Sequence, residues 1–330
     1  MGEINEVYYQ EVLSVMEQVQ RVVIGKEDCV RKAMAAILAG GHILIDDIPG
    51  VGKTTLAMAF SNAMALESKR IQFTPDVMPS DILGFSMYQK QTGTFSYQPG
   101  AVMCNLFLGD EINRTSPKTQ SALLEVMEEG NVTVDGITRN VPEPFIVIAT
   151  ENPAGSVGTQ LLPESQLDRF MICMTMGYPD LEDEIAIAKG KSSGISVEDV
   201  EVVISAEELV RIRLGVENIF VHDKVYRYLC KLVQATRENA YISLGISPRG
   251  TIALAKMAKA VAFLSKRNYV IPNDVMKIFL DVASHRIVLN AKARAGHVTA
   301  ETILTQVLEQ TDVQAKDSAR QIRSGNFQMR

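Results

Sequence analysis

The chain has 330 residues, 46% of them hydrophobic, and a formal net charge of −6. That apolar content suits two packed domains, and the acidic balance argues against nucleic acid as the main ligand. No apolar run approaches the roughly 18 residues of a membrane helix, so no membrane insertion is expected, and the acidic opening through Glu6 reads as neither a signal peptide nor a myristoylation site. Four widely spaced cysteines (Cys29, Cys104, Cys173 and Cys230) form no C-x-x-C pair, which points to buried thiols in a reducing, cytoplasmic setting and to no zinc site.

Residues 1–22 are expected to form a helix that leads into the core. From about 23 to 178, apolar runs alternate with helical stretches, the α/β signature. The run Leu44-Ile45-Asp46-Asp47-Ile48-Pro49-Gly50-Val51-Gly52-Lys53-Thr54-Thr55 reads as a strand, a glycine-rich turn and the start of a helix. Gly50 and Gly52 let the backbone curl so that successive N–H groups face a phosphate. The helix that follows turns its positive dipole end to the same anion. Lys53 is then placed to reach the β- and γ-phosphates and Thr54 to ligate Mg2+. The first glycine of the usual pattern is replaced by Asp47, and its effect on nucleotide affinity is left open.

Residues 85–99 read as a hairpin with Thr92-Gly93 at its tip, and Phe95 and Tyr97 are its expected exposed aromatics. The run Asn105-Leu106-Phe107-Leu108-Gly109-Asp110-Glu111 is a buried strand whose carboxylates open onto the ligand crevice. There Asp110 is suited to hold Mg2+ through water, and Glu111 to orient and deprotonate the attacking water. A helix follows from Pro117 to about Glu129, bounded by Ser116 and Gly130. Residues 131–141 form a second hairpin around Asp135-Gly136. Another strand runs from Pro144 to Asn152, whose amide can bond the attacking water or the γ-phosphate, or can simply stabilise the turn before Pro153.

Gly177-Tyr178-Pro179 marks a boundary, after which helices are expected over 181–189, 206–214, 223–238, 248–264 and 272–290. In the fourth, Ser247 is the N-cap and Pro248 the first helical residue, so Arg249 stands in the first turn. A cation there opposes the helix dipole by about 0.3–1 kcal/mol, a cost that a phosphate relieves. The domains expected are an α/β core over 1–179, a helical lid over 180–311 and a polar tail over 312–330.

The order phosphate loop, Gly-Asp-Glu-Ile-Asn-Arg (109–114), Ala-Thr-Glu-Asn-Pro (149–153), Leu-Asp-Arg-Phe (167–170) and Ser-Pro-Arg-Gly (247–250) resembles the MoxR family of AAA+ ATPases. The resemblance covers nearly the whole chain, and it is carried most specifically by residues 114–125 and 162–170. It implies a P-loop AAA+ core, a parallel sheet sandwiched by helices, followed by a small all-α lid. By resemblance, Asn152 is sensor 1, Arg169 an arginine finger supplied to the neighbouring subunit, and Arg249 a sensor 2 that reaches the γ-phosphate from the lid. Ile24 and Gly25 resemble the segment that packs on adenine. Arg114 either contacts a neighbouring nucleotide or caps the region after the catalytic strand. The two hairpins correspond to insertions that contact a client or pack within the ring.

The function implied is an ATPase that binds and hydrolyses ATP with Mg2+ and remodels a partner protein as a homo-oligomer, expected to be a hexameric ring. The family partner is often a protein with a von Willebrand A-type domain, which this chain lacks. Two alternatives stay open at this point: an ATP-dependent switch with little turnover, and the motor subunit of a metal chelatase-like complex.

Overall fold

The computed structural model describes residues 6–151, 160, 162–188 and 196–311. The chain enters through α1 (Glu6–Gln20), whose Val12, Val15, Met16 and Val19 recur at helical spacing and are buried. α2 (Glu27–Leu38) leads to β1 (Ile43–Asp46), α3 (Lys53–Ala63), β2 (Ser68–Gln72) and the short α4 (Pro79–Leu83). The hairpin β3 (Gly84–Gln89) and β4 (Thr94–Pro99) precedes β5 (Leu106–Asp110) and α5 (Pro117–Glu129). A second hairpin, β6 (Asn131–Val134) and β7 (Ile137–Asn140), leads to β8 (Ile146–Glu151), α6 (Glu164–Leu167) and β9 (Ile172–Met174).

The five strands β1, β2, β5, β8 and β9 form one sheet in the order β2-β5-β8-β1-β9, with every pairing parallel. Its central strands are continuous apolar runs because helices cover both faces. The side chains nevertheless alternate between two cores. Ile43, Ile45, Leu106, Leu108, Ile146 and Ile148 join α1, α2 and α3 on one face, and Leu44, Phe107, Val147 and Ala149 join α5 on the other. β2 carries little sequence signal: Ser68-Lys69-Arg70-Ile71-Gln72 is a polar edge strand.

The expected helix over 117–129 has the bounds read from the sequence. Ser116 Oγ accepts from the Thr119 amide, and Gly130 ends the helix at φ 64°. The β6–β7 turn has φ 51° at Asp135 and 75° at Gly136, the double positive φ that Asp-Gly tolerates. In the first hairpin Phe95 is exposed, as expected, and its ring lies 5.3 Å from Tyr88. Tyr97 differs from expectation. It is half-buried, its hydroxyl donates to the Leu83 carbonyl at 2.5 Å, and the Arg139 guanidinium sits 4.0 Å over its ring, so it joins the two hairpins.

Beyond Gly177 come α7 (Leu181–Ala188), α8 (Ala206–Glu217), α9 (Asp223–Glu238), β10 (Ile242–Leu244), α10 (Pro248–Leu264) and α11 (Pro272–Ala283). The chain then forms β11 (Val288–Leu289), α12 (Ala291–Ala295) and α13 (Ala300–Gln310). The helix expected over 272–290 therefore stops at Ala283. A 3₁₀ turn, Ser284–Arg286, carries Arg286 into the core, and β11 pairs with β10 instead. The cause is tertiary: Arg286 Nε bonds Asp168 at 2.8 Å and its Nη groups bond the Phe170 and Met171 carbonyls. No helix among the described residues is long and apolar enough to cross a membrane. The segment 312–330 lies outside the described residues.

Candidate active site

The C-terminal edge of a parallel sheet is where its loops converge. β1 ends at Asp46, and the loop to α3 turns through Gly50 and Gly52, at φ 88° and 95°. A side chain in that left-handed region is strained. Gly52 occupies the N-cap of α3, so the first helical residues are Lys53, Thr54 and Thr55. Val51 is half-buried and packs against the main core.

A cavity of about 340 Å³ lies over this loop, lined by Gly50, Gly52, Lys53, Thr54, Thr55 and, from the neighbouring strands, Asp110 and Glu111. Lys53 is buried and donates to the Asp47 carbonyl at 2.5 Å. Burial pulls its ammonium below the ordinary lysine value, against the attraction of Asp47, Asp110, Asp46 and Glu111. Thr54 and Asp110 present hard oxygens to one space. That donor set suits Mg2+, which takes few protein ligands and fills its shell from phosphate and water. Among the described residues no group of three or more His, Cys, Asp or Glu could hold a metal alone.

Asp47, where the usual pattern has glycine, has a structural task. Its Oδ2 accepts from the Met176 and Gly177 amides, both at 2.6 Å, and Oδ1 from the Ile48 amide at 2.8 Å. The side chain thus ties the phosphate loop to the segment leaving β9. The same segment meets the residues before α2. Lys26 Nζ bonds the Tyr178 carbonyl at 2.7 Å, and a Cβ on Gly25 would lie 1.9 Å from Asp183 Oδ2. Ile24 and Gly25 stand outside the cavity lining.

Glu111 has a left-handed backbone, φ 57° and ψ 50°, uncommon for a residue with a side chain. Its amide donates to Thr150 Oγ1 at 2.9 Å, and its carboxylate pairs with Arg114 Nη1 at 2.8 Å. Arg114 thus holds the carboxylate of its own chain. Thr150 Oγ1 also lies 3.4 Å from Asp110 Oδ1, and Arg70 Nε bonds Asp110 Oδ2 at 2.7 Å. The sequence assigns no role to Thr150 or Arg70, one being a hydroxyl inside an apolar strand and the other a cation in a polar edge run. At the end of β8, burial and the Asp46 carboxylate push Glu151 up to about 7. Asn152 lies outside the described residues.

Arg169 and Arg249 are brought together, but not at this cavity. Both pair with Glu128, in the last turn of α5, and Arg169 also donates to the Leu124 carbonyl. The α5 C-terminus faces the opposite edge of the sheet, since the Met127 carbonyl bonds His42 just before β1. Two cations there complement the negative end of the helix dipole. Asp168 fixes the arrangement by accepting from Ser247 Oγ at 2.7 Å, the N-cap of α10, and from buried Arg286. Within one chain, then, Arg249 lies against α5 rather than against the phosphate loop.

Residues 42–172 match the ATPase family associated with various cellular activities (AAA), and residues 234–307 match the AAA lid domain. YeaC of Bacillus subtilis is 44% identical over 316 residues, spanning 94% of this chain and 99% of that protein. Chaperone MoxR1 of Mycobacterium tuberculosis is 36% identical over 301 residues, 88% of this chain and 79% of that one. A crystal structure of a candidate ATPase from Cytophaga hutchinsonii superposes with a TM-score of 0.85 at 35% identity, covering 92% of this chain and 95% of that chain. With relatives this similar along nearly their full length, and with the phosphate loop, paired carboxylates and helical lid in place, the chain belongs to the MoxR family of AAA+ ATPases.

Proposed function

We propose that the chain hydrolyses ATP with Mg2+ as an assembly in which each active site is completed by a neighbouring subunit, and that the turnover remodels a partner protein. The observation that carries this reading is the shared seat of Arg169 and Arg249 on Glu128, at the sheet edge away from their own phosphate loop. Both arginines are partly exposed, and the chain segments that carry them are joined by the Ser247–Asp168 bond. In this reading a second copy docks on that face with its phosphate loop towards them, and both act in trans.

Within the site, Gly50, Gly52 and the amides opening α3 cradle phosphate, and Lys53 offsets its charge. Mg2+, held by Thr54 and Asp110, supplies further charge neutralisation at the phosphates when bound. Glu111 orients a water and takes its proton, and Asn152 bonds the same water or the γ-phosphate. Ile24 and Gly25 border the base. Glu111 pairs with Arg114 and Asp110 with Arg70 in the single chain, which supports slow turnover until neighbours rearrange these contacts. A hexameric ring and a client with a von Willebrand A-type domain fit the family, and exposed Phe95 on the first hairpin is the side chain best placed to meet that client.

The test is ATP hydrolysis against protein concentration for the wild type, Glu111→Gln and Arg169→Ala. Specific activity is expected to rise with concentration and to fall at least about a hundredfold in each variant. Mixing the two variants is expected to restore part of it, because one supplies the carboxylate and the other the arginine. Nucleotide binding without hydrolysis under every condition would replace this reading with a switch.

A further inference from the structure

Among the described residues, Arg70 is the one basic side chain besides Lys53 that lines the cavity over the phosphate loop. It sits on edge strand β2 in register with Leu108 of β5, and its Nε lies 2.7 Å from Asp110 Oδ2. The two partners differ in freedom. Asp110 is 8% exposed at its side chain, on a strand buried throughout, while the Arg70 side chain is 52% exposed. The carboxylate is therefore the fixed member and the guanidinium the movable one. Among the described residues the other carboxylate oxygen lies 3.4 Å from Thr150 Oγ1, and Arg70 is the cation in direct contact with the carboxylate.

A divalent cation that takes Asp110 must compete with this arginine. Conversely, a nucleotide entering without metal meets Asp46, Asp47, Asp110 and Glu111 around Lys53, and the second cation on Asp110 offsets part of that repulsion. An arginine suits the task because it stays charged and is less tightly hydrated than an ammonium group.

We propose that Arg70 is a built-in cation of the nucleotide site that competes with Mg2+ for Asp110. It allows phosphates to enter without metal and sets the Mg2+ concentration at which metal-assisted binding takes over. The inference rests on the nucleotide reading above and adds to it a residue that governs the metal dependence.

The experiment is equilibrium binding of a fluorescent ADP analogue to the full chain, once in EDTA and once across a Mg2+ titration. The variants are Arg70→Met, Arg70→Lys, Asp110→Asn and the Arg70→Met/Asp110→Asn pair, each with its unfolding midpoint recorded. Arg70→Met is expected to weaken metal-free binding and to lower the half-saturating Mg2+ concentration, each by about three- to tenfold. Arg70→Lys, which keeps the charge, is expected to fall between. In the Asp110→Asn background, Arg70→Met is expected to leave the Mg2+ midpoint where it is. An equal loss with and without metal marks a direct phosphate ligand and overturns the proposal, as does no change in either series. Absence of binding by the wild type in both series overturns the nucleotide reading itself, an outcome distinct from these.

Discussion

Asp47 stands where a phosphate loop usually opens with glycine, and three backbone amides converge on its carboxylate. Restoring the common residue should therefore harm the protein. Asp47→Gly strands the Met176 and Gly177 amides in a buried setting and frees the backbone of the loop. We expect a loss of about 2–4 kcal/mol in unfolding free energy from urea melts, together with weaker binding of ADP. A more stable Asp47→Gly protein would show that the loop needs no such anchor. The phosphate-loop glycines and Lys53 were readable from spacing alone because their roles are local: a positive φ and a helix start. The task of Asp47 was not, since two of its three partners, Met176 and Gly177, lie about 130 residues away along the chain.

Among the elements, α5 shows how far local signals reach. Its N-cap Ser116, the first-turn Pro117 and the closing Gly130 are written in the sequence. What its last turn meets is not: Glu128 receives Arg169 from the segment before β9 and Arg249 from α10. Beside it, His42 links three elements, with Nδ1 accepting from the Val147 amide at 3.0 Å and Nε2 bonded to the Met127 carbonyl at 3.1 Å. Burial holds this imidazole neutral, down at about 4. The unfolded chain, with an ordinary imidazole near 6.5, takes up the proton first as pH falls. Stability from this group is thus complete above about pH 6.5 and declines towards pH 4, by up to about 3 kcal/mol. Urea melts across that range should show the decline. His42→Gln should lower stability at pH 7 and flatten the slope by about one proton; an unchanged slope would place the titration elsewhere.

On the scale of the whole molecule, the join between sheet and lid depends on Asp168 and Arg286, 118 residues apart in sequence. Arg286 is buried and bonds the Phe170 and Met171 carbonyls as well, so removing it orphans several acceptors at once. Arg286→Leu is expected to cost about 3–5 kcal/mol, and Asp168→Asn in that background to recover part of the loss. Urea midpoints of the four proteins give the coupling; additive losses would show the two residues act independently. The same join aims Arg169 and Arg249, so Arg286→Leu should also lower concentration-dependent ATP turnover more than nucleotide binding.

The α/β alternation, the phosphate loop, the Asp110-Glu111 pair, the Asp-Gly hairpin and the helices over 223–238 and 248–264 all follow from the sequence by itself. Each is encoded by residues within one turn or one strand: an apolar period, a cap, a glycine in a left-handed turn. Only the tertiary structure decided that β2 joins the sheet, that the helix over 272–290 breaks at Ala283, and that Arg70 meets Asp110. It alone seats Arg249 on Glu128 instead of over its own phosphate loop. The reason is common to these four. A polar edge strand, a charged residue in a helical run and a lone arginine have no local preference strong enough to choose a partner. Their positions are set by charges and carbonyls that the fold brings near from far along the chain.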